Sequence, residues 1–368
     1  MKVGIVIEPY EEENTSGIGY VVLKQAEGLL RLDKENQYVL FSSQPMKRER
    51  LLRNFLNVIV PKSFLGKFIW FSLTSYFRKE RFVDALLFHM PLLPLVVSRS
   101  VRTIPVYHEP LWHNGLEKNS LKHICVVFLQ KLFEHKALQR AFCIIAPSKA
   151  TQQYIIDNLR INSNKVKVIY NGFQVFNTFH HSRSEIKYRD HFLFVGRVKY
   201  KKNVHNILEG FILFRKKNPH ATNKLVIVGL YGGIYYTQLY KRIAEENLHN
   251  EIVFTGFVPD RELYNLYSHS VGLIFCSLAE GFGIPIIEAM NLGVPVITSR
   301  RAPMDEIAGG AALMVNPEKP IEIMDAMNAI VFNRKEKEKL VERGLKRAKD
   351  FSWDKHMQAL LSIIKSIH

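Results

Sequence analysis

Two glutamates eight positions apart, Glu280 and Glu288, flank a corner made of Gly281, Gly283 and Pro285 in the stretch AEGFGIPIIEAM. The apolar run VGLIFCS before it reads as a buried strand, so LAEGFG leaves that strand's carboxyl end. Glycine lets the chain turn sharply there, and proline in the first turn starts a helix. Glu288 then falls in the opening turns of that helix. The backbone amides of Phe282, Gly283 and Ile284 point outward as a cradle for an anion. Carboxylates beside such a cradle make no sense for a phosphate alone. They suit an anion with hydroxyl groups at both ends, because a carboxylate accepts paired hydrogen bonds from a vicinal diol while the amides hold the charge between. Ribose, diphosphate and hexose of a nucleotide-sugar have that order. Glu288 alone is also explained as an acid favoured near a helix N-terminus.

Cations are needed on the same edge, and VGRVKYKKN supplies them. Arg197 and Lys202 lie just past the end of another strand, a bidentate fork and a point charge of the kind that suits a diphosphate. A basic run of this sort also occurs as a solvated face. Further upstream, TSGIGYVVLKQAEGLL places Gly17 and Gly19 between the first strand and the first helix. Bare backbone at that point either approaches a phosphate or makes a tight turn. No GxGxxG and no Walker lysine is present, so neither dinucleotide nor ATP binding is supported.

The elements that must position these residues alternate along the chain. Strand-like runs KVGIVIEP, QYVLFS, NVIV, ALLFH, RTIPVYH, FCIIAPS and KVKVIYNG are separated by helix-length stretches such as Ile18–Arg31 and Leu121–Arg140. Periodicity is lost in FQVFNTFHHSRSEIKYRD. A second alternation follows through HFLFVGRV, KLVIVG, EIVFTG, VGLIFCS, VPVITS and AALMVN, and Phe351–Ile367 reads as a closing helix. The pattern predicts an α/β protein of two doubly wound, Rossmann-like domains facing one another across a cleft. The first covers 1–172 and 173–190 is the linker. The second covers 191–350, and 351–368 packs back toward the first. The chain has 368 residues, 47% of them hydrophobic, enough for two cores. No run reaches the ~18–20 apolar residues of a membrane span. The N-terminus meets acidic residues too early for a signal peptide. Cys125, Cys143 and Cys276 are scattered without a CxxC, which fits a reducing cytoplasm, and no HExxH occurs among the histidines. No cofactor and no metal site is expected.

Several stretches together resemble the GT-B-fold retaining glycosyltransferases of family GT4: FLFVGRVKYKKN, VIYNGF, IVFTGFVPDRELYNLY and AEGFGIPIIEAMNLGVPVITSRRAPMDEIAGGAALMVNP, with SGIGY, VYHEP and IIAPSKAT in the first half. Glu280 and Glu288 match that family's E-x7-E signature. The resemblance implies Glu280 at the donor-sugar hydroxyls, Glu288 on the ribose, Arg197 and Lys202 on the diphosphate, and His108 near the reacting sugar. As a lone residue, His108 could equally cap a strand. It further implies a nucleotide-sugar donor and a glycan or lipid-linked glycan acceptor. The wording is similar to bacterial polysaccharide and lipopolysaccharide mannosyltransferases, which puts GDP-mannose first and UDP-sugars next. The chain departs from the family at RRAPMDEI, where Arg300 and Arg301 replace small polar residues; they either add phosphate contacts or are simply exposed.

Charge gives a further expectation. Lys and Arg number 51 against 34 Asp and Glu, a net +17, which favours anionic partners. Residues 46–81 hold nine basic and two acidic residues, interleaved with Phe55, Phe64, Phe68, Trp70, Phe71, Tyr76 and Phe77. Such a segment suits an anionic membrane surface at the cytoplasmic face, with Lys62, Lys67, Arg78 and Lys79 meeting the lipid; the aromatics would otherwise be core. A nucleic-acid binder would need a stacking module such as an RRM or OB-fold, and none is seen. A GT-B-like epimerase, which needs no acceptor, is the alternative enzyme, and a non-catalytic subunit is disfavoured by the glutamates and the Arg/Lys pair. A phosphorylase would be much longer and carry a pyridoxal lysine.

Overall fold

Short runs of Val, Ile, Leu and Phe without polar alternation suit strands covered on both faces, as parallel sheets require. The structure, a computed structural model, describes residues 1–7, 17–45, 55–77, 82–90, 96–109, 133–175 and 187–367. It divides into two units, Met1–Gly172 with Ser352–His368, and Phe173–Phe351.

Among the described residues of the first unit, seven strands lie in the order β3-β2-β1-β4-β5-β6-β7. They are β1 (Lys2–Val6), β2 (Gln37–Ser42), β3 (Leu56–Ile59), β4 (Ala85–Met90), β5 (Arg102–Tyr107), β6 (Ile144–Ala146) and β7 (Val166–Val168), all paired in parallel. Helices α1 (Gly17–Leu32), α2 (Phe64–Phe77) and α3 (Lys149–Asp157) cross between them, and residues 133–140 are also helical. Alternate side chains feed two cores. Val39, Phe41, Leu86 and Phe88 join Phe71 on one face, while Ile5, Leu40 and Leu87 join Val22 and Leu29 on the other. Each such side chain contributes about 1.5–3 kcal/mol by burial.

Among the described residues of the second unit, six parallel strands lie in the order β10-β9-β8-β11-β12-β13. These are β8 (His191–Val195), β9 (Leu225–Val228), β10 (Ile252–Gly256), β11 (Ser270–Phe275), β12 (Val296–Ser299) and β13 (Leu313–Val315). Between and after them come α4 (Val204–Lys217), α5 (Gly233–Glu245), α6 (Asp260–Ser268), α7 (Ile284–Asn291), α8 (Met304–Ala308), α9 (Pro320–Phe332) and α10 (Arg334–Ala348). The strand order reverses between β8 and β11, which are neighbours with Leu273 beside Leu193. Loops leaving their carboxyl ends diverge, which is where open α/β sheets hold ligands. The first unit has the same switch between β1 and β4.

The closing helix α11 (Trp353–Lys365) returns to the first unit and packs on α1. It starts two residues later than its apolar pattern suggests, because the Ser352 hydroxyl accepts the Lys355 N–H at 3.2 Å and caps it. A Cβ at Gly28 would lie 2.2 Å from Met357 Sδ, so a side chain there would displace Met357 from the α1–α11 contact. Of the elements expected from sequence, the helix over 121–140 is described only from residue 133, and residues 176–186 of the expected linker lie outside the described residues.

Candidate active site

The loop after β8 turns through a single 3-10 turn, Tyr200–Lys202, and enters α4 at Asn203, which sits in the left-handed region at φ 62°. Asn tolerates that conformation better than most residues. Its buried side-chain amide donates to the Cys276 carbonyl at 2.9 Å and to the Pro317 carbonyl at 2.6 Å. The Leu278 N–H donates to the Lys201 carbonyl at 2.8 Å. The loops after β8 and β11 are thereby tied together, and residues 78 positions apart meet. Lys202 Nζ stands 2.5 Å from Glu280 Oε1, with side chains only 17% and 9% exposed. The same ammonium lies 5.3 Å over the Phe275 ring. The sequence reading sends Lys202 to one ligand group and Glu280 to another, whereas in the structure they are partners. Arg197, on the same loop, is exposed.

Downstream the chain turns into α7 through Gly283, whose φ of +115° is a conformation that suits glycine. Pro285 occupies the first turn, as expected. Phe282 is buried, its ring edge-on to Phe351 at 5.8 Å. Gly283 and Ile284 head the helix. Glu288 lies one turn in and is 7% exposed. The Tyr267 hydroxyl donates to its Oε2 at 2.9 Å, and the backbone N–H of Gln174 donates to the same carboxylate. Burial pushes Glu288 up to about 7; the hydrogen bonds from Tyr267 and Gln174 pull it down, and nearby Asp260 pushes it up. Asp260 itself accepts from the Gln174 side chain at 2.7 Å.

In the first unit, Gly17 and Gly19 are not in the turn before α1. They form its first turn, and Gly19 is buried there. A Cβ at Gly17 would meet no described atom within 4 Å. His108 follows β5 and its N–H continues the ladder to the Met90 carbonyl at 3.1 Å. Its buried imidazole stacks on His89, with Nε2 2.9 Å from His89 Nδ1. Burial first, and then His356, push His108 down to about 3, so it is neutral. His356 of α11 bonds Gln25 through Nε2 and the Tyr170 carbonyl through Nδ1, both at 2.9 Å. Tyr267, Gln174 and His89 were not singled out from the sequence; a tyrosine at a buried helical position was the one available signal for Tyr267.

Arg300 pairs with Glu322 at 3.0 Å and Arg301 pairs with Glu318, so both are engaged by acids around the start of α9. The basic and aromatic segment is also rearranged. Lys67 is buried rather than lipid-facing, Phe71 is in the core, Trp70 packs beside it and Phe68 lies 4.5 Å from Phe133. What α2 exposes is an aliphatic stripe, Leu65, Ile69 and Leu73, ending in Tyr76 and Phe77. Arg78 and Lys79 lie outside the described residues. No described helix is long and apolar enough to cross a membrane, and no group of three metal-binding side chains occurs among the described residues.

Comparison with known proteins accords with this arrangement. Residues 15–175 match the family described as Glycosyltransferase Family 4, and residues 177–347 match Glycosyl transferases group 1. The chain is 29% identical over 174 residues to an O-antigen chain mannosyltransferase B of Escherichia coli, covering 46% of this chain and 44% of that one. It is 29% identical over 195 residues to the O-antigen chain mannosyltransferase RfbU of Salmonella typhimurium, 52% of each. The matches thus span about half the length of these curated relatives. In fold it superimposes on Anabaena HepE in complex with UDP-glucose with a TM-score of 0.77, at 18% identity and over 100% of both chains. With the two family matches taking in nearly all of residues 15–347, the chain belongs to the group 1 glycosyltransferases and carries a family 4 amino-terminal domain in a GT-B-type pair of α/β units.

Proposed function

We propose that the protein is a retaining, metal-independent glycosyltransferase that moves a hexose from a nucleoside-diphosphate sugar to a glycan or lipid-linked glycan of a cell-surface polysaccharide. The pairing of Lys202 with Glu280 at the carboxyl ends of β8 and β11, in the loop that leads into the helix bearing buried Glu288, carries this reading. A cation beside one carboxylate, with a second carboxylate on the helix that follows, complements a diphosphate set between two polyols. In this reading Arg197 and Lys202 carry the leaving diphosphate charge that a metal carries in other transferases. The sugar–phosphate bond breaks, the acceptor oxygen bonds the same face of the sugar, and the leaving phosphate oxygen takes the acceptor's proton. His108, neutral beside His89, offers a hydrogen bond and not a charge.

GDP-mannose is the first donor to try, because the relatives named above are mannosyltransferases; UDP-sugars follow, because a neighbour in fold holds UDP-glucose. The same reading seats the protein peripherally on the inner face of an anionic membrane, supported by the exposed stripe of α2 and the net charge of +17. Thermal shift against GDP, UDP and ADP in EDTA tests the donor site. One nucleotide should stabilise the protein, and Glu288→Ala should weaken its binding by about 1–3 kcal/mol. No response to any nucleotide, a requirement for Mn²⁺, or unchanged affinity in both Glu288→Ala and Arg197→Ala would overturn the reading.

A further inference from the structure

The carboxylate assigned to the ribose is held by groups that the sequence motif does not contain. Glu288 is buried on α7, and a buried carboxylate that must accept from a diol has to be ionised and fixed in rotation before the ligand arrives. One donor fixes Oε2: the hydroxyl of Tyr267, 2.9 Å away. Tyr267, on α6, is fully buried, so the phenol cannot turn to water. Phenylalanine would fill the same space, and the hydroxyl has Glu288 as its partner. A second donor, the Gln174 N–H, cannot be removed by changing a side chain.

We propose that Tyr267 is a positioning residue for nucleoside recognition: its hydroxyl orients Glu288 and keeps the carboxylate ionised for the ribose diol. This rests on the donor-site reading given above. The hydroxyl stabilises the charged form of Glu288. Two titratable groups of α6 act on that carboxylate, and they oppose each other: Tyr267 favours ionisation and Asp260 disfavours it. Without the hydroxyl, Asp260 and burial act against the Gln174 hydrogen bond.

The test is the pH profile of nucleoside diphosphate affinity, by calorimetric titration of GDP and UDP between pH 5.5 and 9, for the full chain and for Tyr267→Phe. Wild-type affinity should fall as pH drops through about 7, where Glu288 gains its proton. In Tyr267→Phe the midpoint should move up by about one pH unit, giving about fivefold weaker binding at pH 7, approaching tenfold by about pH 6, and little loss at pH 9. A purely structural role would lower affinity equally at every pH. Glu288→Gln supplies the second arm: adding Tyr267→Phe to it should change affinity less than twofold, because the hydroxyl then has no carboxylate to act on. An unmoved midpoint, or full additivity with Glu288→Gln, overturns the inference while leaving the donor site intact. If wild type binds neither nucleotide at any pH, both the donor-site reading and this inference fall.

Discussion

Removing Lys202 would leave Glu280 as a nearly buried carboxylate with its cation gone, a situation that costs about 3–5 kcal/mol for a fully buried pair. Glu280→Ala strands the ammonium, which is the more exposed partner and has the Phe275 ring beneath it. The double variant strands neither. Denaturant unfolding should therefore give a coupling energy of at least about 1 kcal/mol between the two sites, and simple additivity would mean the pair is incidental. Lys202→Ala should still lose about 10²–10³ in turnover, the scale on which one electrostatic stabiliser acts. Glu288 carries a pH signature. Its folded value lies near 7 against 4.5 for the free side chain, so the folded chain keeps a proton that the unfolded chain has lost. That proton stabilises the fold fully below about 4.5, and its contribution is gone once pH has risen past about 7. Above that the unit carries an ionised buried carboxylate at a cost of up to about 3 kcal/mol. The Tm of Glu288→Gln relative to wild type should therefore become more favourable from pH 5 to pH 8, and a flat difference would show that the carboxylate ionises freely. The acids and cations of this site were legible because glycines and a proline mark where strands end. Their partners were not: Lys202 with Glu280, and Tyr267 with Glu288, meet only when β8, β11 and α6 are packed.

Helix α2 shows the same boundary between pattern and packing. Its sequence, FLGKFIWFSLTSYF, is apolar all round, so periodicity alone could not say which side faces the sheet. Phe71 and Trp70 took the core side by packing against Phe41 at 5.1 and 5.8 Å, and Lys67 went in with them. The other side leaves Leu65, Ile69, Leu73 and Phe77 in a row, with Phe77 82% exposed. The membrane contact proposed above would therefore rest more on insertion of the apolar row than on lysine pairing. Sedimentation with vesicles containing anionic lipid should pull down the protein, weakening with salt. Ile69→Asp with Leu73→Asp should abolish binding while Lys67→Gln acts only on stability. Binding that survives both aspartates, or equals that to zwitterionic vesicles, would contradict this. The strands, by contrast, fell where their unbroken apolar runs lie, since a parallel sheet buries both faces and leaves no ambiguity of side.

Both sheets switch direction at their first strand, and the loops at the second sheet's switch carry Arg197, Lys202 and Glu280, with Glu288 on the helix that one of them enters. Two α/β units were legible from the alternation of elements, and the return of α11 to the first unit was expected from its sequence pattern; the contact that seats it, Gly28 against Met357, belongs to tertiary structure alone. The central claim is group transfer from a nucleotide-sugar without metal, through Lys202 and the two glutamates. The most direct measurement incubates the purified chain in EDTA with membrane acceptors and GDP-mannose or a UDP-hexose labelled in the sugar, and follows label in extracted glycan together with the linkage formed. The account predicts incorporation from one donor, an α-linkage from an α-linked donor, and loss of at least about 10² in rate in Lys202→Ala. Incorporation that requires a divalent metal, an inverted linkage, or a rate unchanged in Lys202→Ala would contradict it.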